Sequence, residues 1–335
     1  QHEIDQGKQD RPLSIKFGDF ITEHEQLTKG RVAAATLIEQ MHKLKLFQKF
    51  IGEGILLASI KPRHAEGFIA KRAASGLSVA TVNKDIRTLR AIFNLAIEPR
   101  GYLKDGTNPF ARIKQRKISA KTVSYMSVDE YQKLMESIKG LWWKAFISTA
   151  YCCGLRREEI LNLTWKDIDF ENQLIHITPK NATKQTIEWE PKDHENRVIP
   201  APEQTMRLLT AMQTQSAEGL AYIFISAKRL VHIKSRIQEG QWNSKCETLN
   251  NLPRNFKIML KKAGLAKYTI HDLRRSALTN WSRHLPIQVV QQLAGHSNIS
   301  TTRKYYLSVQ PENMLSASAV VQQMLSNAKS QLTQN

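Results

Sequence analysis

After a break at Gly76-Leu77-Ser78, the apolar residues Val82, Ile86, Leu89, Phe93 and Ala96 recur at alternating spacings of four and three. Only a helix sets such positions along one stripe, because its side chains repeat every 3.6 residues, whereas a strand alternates faces every second residue. From about residue 13 to 110 the pattern stays helical, with no convincing strand alternation. The far side of the 82–96 stripe carries Lys84 and Arg87, with Arg90 at its margin. Cations on such a face suit contacts to phosphate groups. Turn chemistry from Gly101 to Pro109 closes this block, and a basic run follows: Arg112, Lys114, Arg116, Lys117 and Lys121. No acid occurs among residues 106 to 128, and the run lacks an apolar period, so it reads as a positively charged linker.

A chain of 335 residues is long for one domain, and 41% hydrophobic residues suffice for two buried cores. The expected division is a flexible tail over residues 1–12, a helical domain over 13–111, a linker over 112–124, and a second domain over 125–335 with a C-terminal helix near 316–332. The 49 Lys and Arg against 30 Asp and Glu give a formal charge of +19, which points to a polyanionic partner, nucleic acid above all. No run of 18 apolar residues exists, and the start lacks a secretory signal pattern, so a cytoplasmic, nucleoid-associated protein without a membrane partner is expected. Cys152, Cys153 and Cys246 are odd in number and badly spaced for a disulfide framework or a zinc site. Neither a metal-ligand cluster nor a phosphate-cradling glycine loop stands out, so no cofactor is expected. The chain begins with Gln, which leaves room for a further DNA-binding domain ahead of it.

The second domain opens with Ser127-Val128-Asp129-Glu130, a capping-box pattern that starts a helix. An apolar helix from Trp142 to Cys153 stops at Gly154. Leu174–Thr178, Thr186–Glu190 and Arg197–Ile199 read as short strands of a small antiparallel sheet. Residues 228–251 are polar and irregular and read as a surface insertion. The expected fold is therefore mainly α with a small antiparallel β-sheet: a helical domain followed by an α+β domain.

Chemistry concentrates between His271 and Tyr306, in HDLRRSALTNWSRHLPIQVVQQLAGHSNISTTRKYY. His271 and Arg274 are three apart, so on a helix both side chains can reach one anion. Arginine suits that task because its planar fork stays charged and donates two parallel hydrogen bonds to a phosphate. Gly295-His296 follows the next apolar helix, and Tyr305 lies nine residues beyond His296. Far upstream, Gly154-Leu155-Arg156 places another arginine just past a helix break, with Glu159 within reach one turn on. These are the residue types needed to hold a phosphodiester, offset its charge and attack it with a phenol.

As an ordered set, these boxes resemble the tyrosine recombinase (phage integrase) family. Leu163-Thr164-Trp165-Lys166-Asp167-Ile168 extends the first box. Ala294-Gly295-His296 stands where the family usually has Leu-Gly-His. Leu77-Ser78-Val79-Ala80-Thr81-Val82-Asn83 through Phe93, then Asn108-Pro109, resemble the family's helical core-binding domain. The resemblance implies that Tyr305 is the nucleophile, rather than its neighbour Tyr306, and forms a 3′-phosphotyrosine. It implies that Arg156 and Arg274 hold the non-bridging oxygens, that His271 and His296 handle protons and charge, and that Glu159 orients the local structure. Trp189-Glu190-Pro191-Lys192 resembles the β-hairpin that carries a lysine acid; Lys192 is favoured for the leaving 5′ oxygen over Lys180 and Lys184. A free phenol has a pKa of about 10, and two arginines at the phosphate would favour its ionised form.

The same resemblance implies double-stranded DNA as partner, a homo-tetramer on paired sites, accessory DNA-bending proteins as further partners, and no need for ATP or metal. The function expected is integration or excision of a phage or other mobile element. Relaxation of DNA in the manner of a type IB topoisomerase and a catalytically silent DNA-binding protein are the alternatives. Lys84, Arg87, Arg90, Arg112, Lys114, Arg116 and Lys117 are the candidate DNA-backbone contacts outside the site.

Overall fold

The computed structural model describes residues 14–118, 124–192, 196–242, 248–265 and 267–307. The expected N-terminal tail, residues 119–123 of the basic linker and the expected C-terminal helix lie outside the described residues. The chain divides into two compact units, the first reaching residue 120 and the second occupying nearly all the rest.

The first unit contains α1 (Phe17–Thr28), α2 (Ala34–Ile51), α3 (Pro62–Ala74) and α4 (Val79–Ile97). Ser78 caps α4, its hydroxyl accepting from the Thr81 amide at 3.2 Å. Val82, Ile86, Leu89, Phe93 and Ala96 are all buried, as the spacing requires. Phe47 organises the core, with ring centroids 5.1 Å from Phe68 and 5.2 Å from Phe110, both edge-on, a favourable arrangement of the ring quadrupoles. Asp85 sits fully buried on α4, where an unpaired carboxylate would be costly; Lys43 at 2.5 Å and Arg72 at 2.8 Å offset it.

The stretch read as a linker is partly fastened to α4. The Asn83 side chain exchanges two hydrogen bonds with the Arg116 backbone at 2.8 and 3.0 Å, and Arg87 donates to Gln115 at 2.9 Å. Arg90, at the margin of that face, turns toward the chain after α4. Its guanidinium donates to the carbonyls of Phe110 (3.0 Å) and Ile113 (2.6 Å), which ties the chain after Pro109 to α4.

The second unit begins with α5 (Val128–Ser137), where Ser127 and Glu130 exchange side-chain-to-backbone bonds at 3.2 and 2.9 Å. Next come α6 (Leu141–Cys152) and the short α7 (Arg157–Leu161). Three antiparallel strands then pair in the order β1 (Ile168–Asp169), β2 (Leu174–Ile177), β3 (Arg197–Pro200), with Ile175 opposite both Ile168 and Ile199. α8 (Glu203–Thr214), α9 (Ala227–Gln238), α10 (Leu252–Lys262), α11 (Ile270–Ser282), α12 (Ile287–Ala294) and α13 (Ile299–Leu307) complete it. α6 packs against both α8 and α11, and its Ser148 hydroxyl meets that of Thr205 on α8 at 2.8 Å.

The mainly helical class with one small antiparallel sheet agrees with expectation, but two local readings do not. Thr186–Glu190 is no strand: the Thr186 amide goes to the Thr183 hydroxyl at 3.0 Å and the Ile187 amide to the Tyr222 phenol at 3.0 Å. Only Trp189 pairs, exchanging two bonds with Lys180. Residues 227–238 are a helix rather than irregular, because Leu230 and Ile233 bury one stripe against Ile187, Tyr222 and Ile225.

Candidate active site

Gly154 sets the geometry from which the site grows. It follows α6 with φ +62°, a region that suits glycine, and a Cβ there would lie 2.8 Å from the Trp281 ring on α11. The absent side chain lets the α6–α7 junction close on α11, so that Arg274 donates to the Gly154 carbonyl at 2.6 Å. Two residues on, Arg156 stands at the start of α7. Its amide donates to Glu159 Oε2 at 2.7 Å and its guanidinium to Glu159 Oε1 at 2.9 Å, which fixes the side chain.

α11 presents the His-x-x-Arg pair. Asp272 caps that helix by accepting from the Thr269 amide and hydroxyl at 2.8 and 2.7 Å. His271 remains exposed while Arg274 is 3% exposed. Gly295 ends α12 in the left-handed conformation and turns the chain so that His296 faces Arg274. His296 Nε2 lies 3.3 Å from Arg274 Nη2, and Nδ1 lies 3.0 Å from the Thr302 hydroxyl. Arginine can only donate, so Nε2 accepts and Nδ1 carries the proton. The Tyr305 ring, on α13, lies nearly parallel to the His296 ring with centroids 6.4 Å apart.

Arg156, Lys192, His271, Arg274, His296 and Tyr305 all line one cavity of about 270 Å³, together with Ser297, Thr301 and Lys304. Of the competing groups, Lys180 is held away from it by Asp167 and the Thr178 hydroxyl, at 2.8 and 2.9 Å. The Lys184 carbonyl accepts from Lys234, and Lys184 does not line the wall. The Tyr306 phenol donates to the Leu285 carbonyl at 2.5 Å, outside the cavity.

Charge in the site is strongly positive. Burial, then the charge of Arg156, lowers the Arg274 pKa to about 9, and it remains charged at neutral pH. Burial alone would raise the Glu159 pKa, but the hydrogen bond and charge of Arg197 and the charge of Arg274 hold it down at about 2. Loss of solvation, then Arg275 and Arg274, lowers the His271 pKa and favours the neutral ring. Tyr305 departs from expectation: burial raises its pKa, and Arg274 and Arg275 only partly oppose this. The free site therefore keeps the phenol protonated.

Two residues escaped the sequence reading. Lys304 lies in the cavity wall directly before the tyrosine, its ammonium 5.1 Å from the Tyr305 ring centroid. Arg197 shares the buried face of β3 with Ile199, and a charge at a core-facing strand position was the signal for it. Of the basic residues assigned to DNA outside the site, Lys84, Arg87, Arg112, Lys114, Arg116 and Lys117 are exposed, although Lys84 also pairs with Glu39 at 2.7 Å.

Residues 124–312 match the model of the phage integrase family, and residues 24–99 match that of the phage integrase N-terminal SAM-like domain. The chain belongs to the phage integrase family, whose enzymes break and rejoin DNA strands at specific sites. It is 27% identical to a tyrosine recombinase XerC-like protein of Caldanaerobacter subterraneus subsp. tengcongensis, over 79% of this chain and 71% of that one. It is likewise 27% identical to tyrosine recombinase XerA of Pyrococcus furiosus, over 77% and 79%. In fold it is similar to the Tn1549 transposon integrase in complex with transposon right end DNA, with a TM-score of 0.70 at 20% identity, covering 90% of this chain and all of the other. A lambda integrase tetramer bound to a Holliday junction is similar at TM-score 0.63 and 18% identity, over 85% and 78%.

Proposed function

We propose that this recombinase integrates or excises a phage or other mobile element through a 3′-phosphotyrosine on Tyr305. The observation that carries this reading is the single cavity on which the tyrosine, two arginines, two histidines and a lysine converge. In the proposed cycle Arg156 and Arg274 hold the non-bridging oxygens of the scissile phosphate and stabilise the charge that grows there. The Tyr305 oxygen attacks phosphorus in line, the phosphorus–O5′ bond breaks, and Lys192 gives a proton to the departing oxygen. The phenol proton leaves through His271, which is neutral and able to accept it. His296, once Nε2 also carries a proton, donates through it to a phosphate oxygen that displaces its contact with Arg274. A 5′ hydroxyl of the partner strand then reverses the step, and the tyrosyl ester conserves the bond energy.

The first unit is the proposed grip on duplex backbone, through Lys84, Arg87, Arg112, Lys114, Arg116 and Lys117; Arg90 serves the fold instead. A homo-tetramer on two paired sites in the nucleoid, with accessory bending proteins, completes the proposal. The relatives bound to transposon DNA and to a Holliday junction support it. The test uses duplexes covering the sequence around the gene, screened for a repeat that the protein binds, then nicked beside the cleavage position so that the short leaving strand is lost. Wild-type protein and Tyr306→Phe are expected to become covalently joined to DNA, and Tyr305→Phe is not. An adduct from Tyr305→Phe, or none from the wild type, overturns the assignment.

A further inference from the structure

Arg197 takes no part in the cycle above, yet the same scaffold holds it. It enters β3 on the core side and is 8% exposed. Its Nη2 donates to Glu159 Oε2 at 2.6 Å and its Nε to the Leu293 carbonyl at 3.0 Å. Arg274 donates to the Ala294 carbonyl at 2.5 Å, and Arg156 to the Gly295 carbonyl at 2.7 Å. Three guanidinium groups thus bind three successive carbonyls at the end of α12, where the helix dipole is negative. One carboxylate stands among them: Glu159 lies 2.9 Å from Arg156, 2.6 Å from Arg197 and 3.9 Å from Arg274.

Glu159 is needed to cap α7 and to fix Arg156. Left with only the two cavity arginines, however, its negative charge would cancel one of theirs. We propose that Arg197 is a positioning residue that neutralises Glu159 from behind, so that Arg156 and Arg274 both offer their charge to the scissile phosphate. The count is direct: three cations less one anion leave two positive charges, whereas without Arg197 one remains. Arginine suits the place because one planar group reaches the carbonyl and the carboxylate together, which a lysine point charge does not. The glycine at 295 makes room, since a Cβ there would come within 3.0 Å of Arg197 Nη1.

This inference rests on the phosphotyrosine reading, and the experiment separates the two. Duplex binding and the rate of adduct formation on the nicked duplex are measured for wild type, Arg197→Gln, Arg197→Lys and the double variant Glu159→Gln with Arg197→Gln. Arg197→Gln is expected to bind duplex within about twofold of wild type, because most of the contacts to the DNA backbone lie elsewhere. Its adduct formation is expected to fall at least about tenfold, since one charge is lost beside a partly screened site. Arg197→Lys falls between the two. The double variant removes opposed charges together but keeps only one of the two oxygens that hold Arg156, so it is expected to recover severalfold over Arg197→Gln, to within less than about tenfold of wild type, with less loss of stability than Arg197→Gln alone. A residue that acted only by packing would give no such rescue. Wild-type rates in Arg197→Gln, or a folded double variant as slow as that single variant, overturn the proposal. If Arg197→Gln does not fold, the double variant decides alone: recovery supports the idea and a tenfold loss ends it. Absence of an adduct from wild type is instead a failure of the phosphotyrosine reading.

Discussion

Replacing Gly154 with alanine tests the backbone on which Arg274 depends. At φ +62° an L-residue pays a conformational penalty of about 1–2 kcal/mol. The new methyl would also meet the Trp281 ring at 2.8 Å and the Ala277 Cβ at 3.2 Å. Forcing a methyl into filled space adds about 1–3 kcal/mol, so the expected total is about 2–5 kcal/mol. All six tryptophans (Trp142, Trp143, Trp165, Trp189, Trp242 and Trp281) belong to the second unit, so their fluorescence in urea follows that unit. With a slope of about 2 kcal/mol per molar urea, the midpoint should drop by about 1–2.5 M. Repeating the change in a Trp281→Leu background should remove the ring contact and leave the backbone cost of about 1–2 kcal/mol together with the smaller share from Ala277. A loss below about 1 kcal/mol would refute the assigned backbone conformation, and an equal loss with and without Trp281 would refute the contact. Adduct formation should weaken alongside, because the Gly154 carbonyl is one of the anchors of Arg274.

Glu159 provides a pH test. Its folded pKa of about 2 lies below the ordinary glutamate value of 4.5, so its stabilisation is present above about pH 4.5 and disappears as pH falls through 2. The difference corresponds to about 3 kcal/mol, and Glu159→Gln should flatten that part of the stability–pH curve; an unchanged curve would contradict the pairing. Lys192→Ala should slow adduct formation by about 10²–10⁴-fold, the usual weight of a general acid. Lys180→Ala should mainly reduce stability, because its ammonium holds Asp167; the reverse pattern would move the acid to Lys180. Duplex binding should weaken steeply with salt, with a log–log slope of about −0.9 for each phosphate contacted, and a flat titration would remove the basic face of α4 from the interface.

Much of the cavity lining was legible in the sequence because its relations there are local. His271 and Arg274 share one helix face, and His296 and Tyr305 are separated by one turn and one short helix. What escaped depends on distant partners. Thr186–Glu190 has strand-like residues, but the Tyr222 phenol takes the Ile187 amide from 35 positions away. α9 buries only Leu230 and Ile233 in a polar background, too weak a stripe to outweigh its composition. Asp85 looks like an ordinary polar break in the α4 stripe until Lys43 and Arg72 close on it. Arg197 lies 38 positions from Glu159, and nothing local to either names the other. The raised Tyr305 pKa has a related origin: arginine charge does pull it down, while the burial that outweighs the arginines comes from α11 and α12.

The carbonyl clamp at the end of α12 also bears on when during synthesis the protein becomes able to harm DNA. Arg156 meets Gly295 across 139 positions and Arg274 meets Ala294 across 20, so neither guanidinium has its full set of anchors until α12 has emerged and docked. Tyr305, the proposed nucleophile, arrives later still, on α13. A truncated product or a chain still on the ribosome therefore carries the basic grip of the first unit without a finished cutting centre. On the proposed reading such a species holds DNA without nicking it, and competence waits for the docking of the final helices.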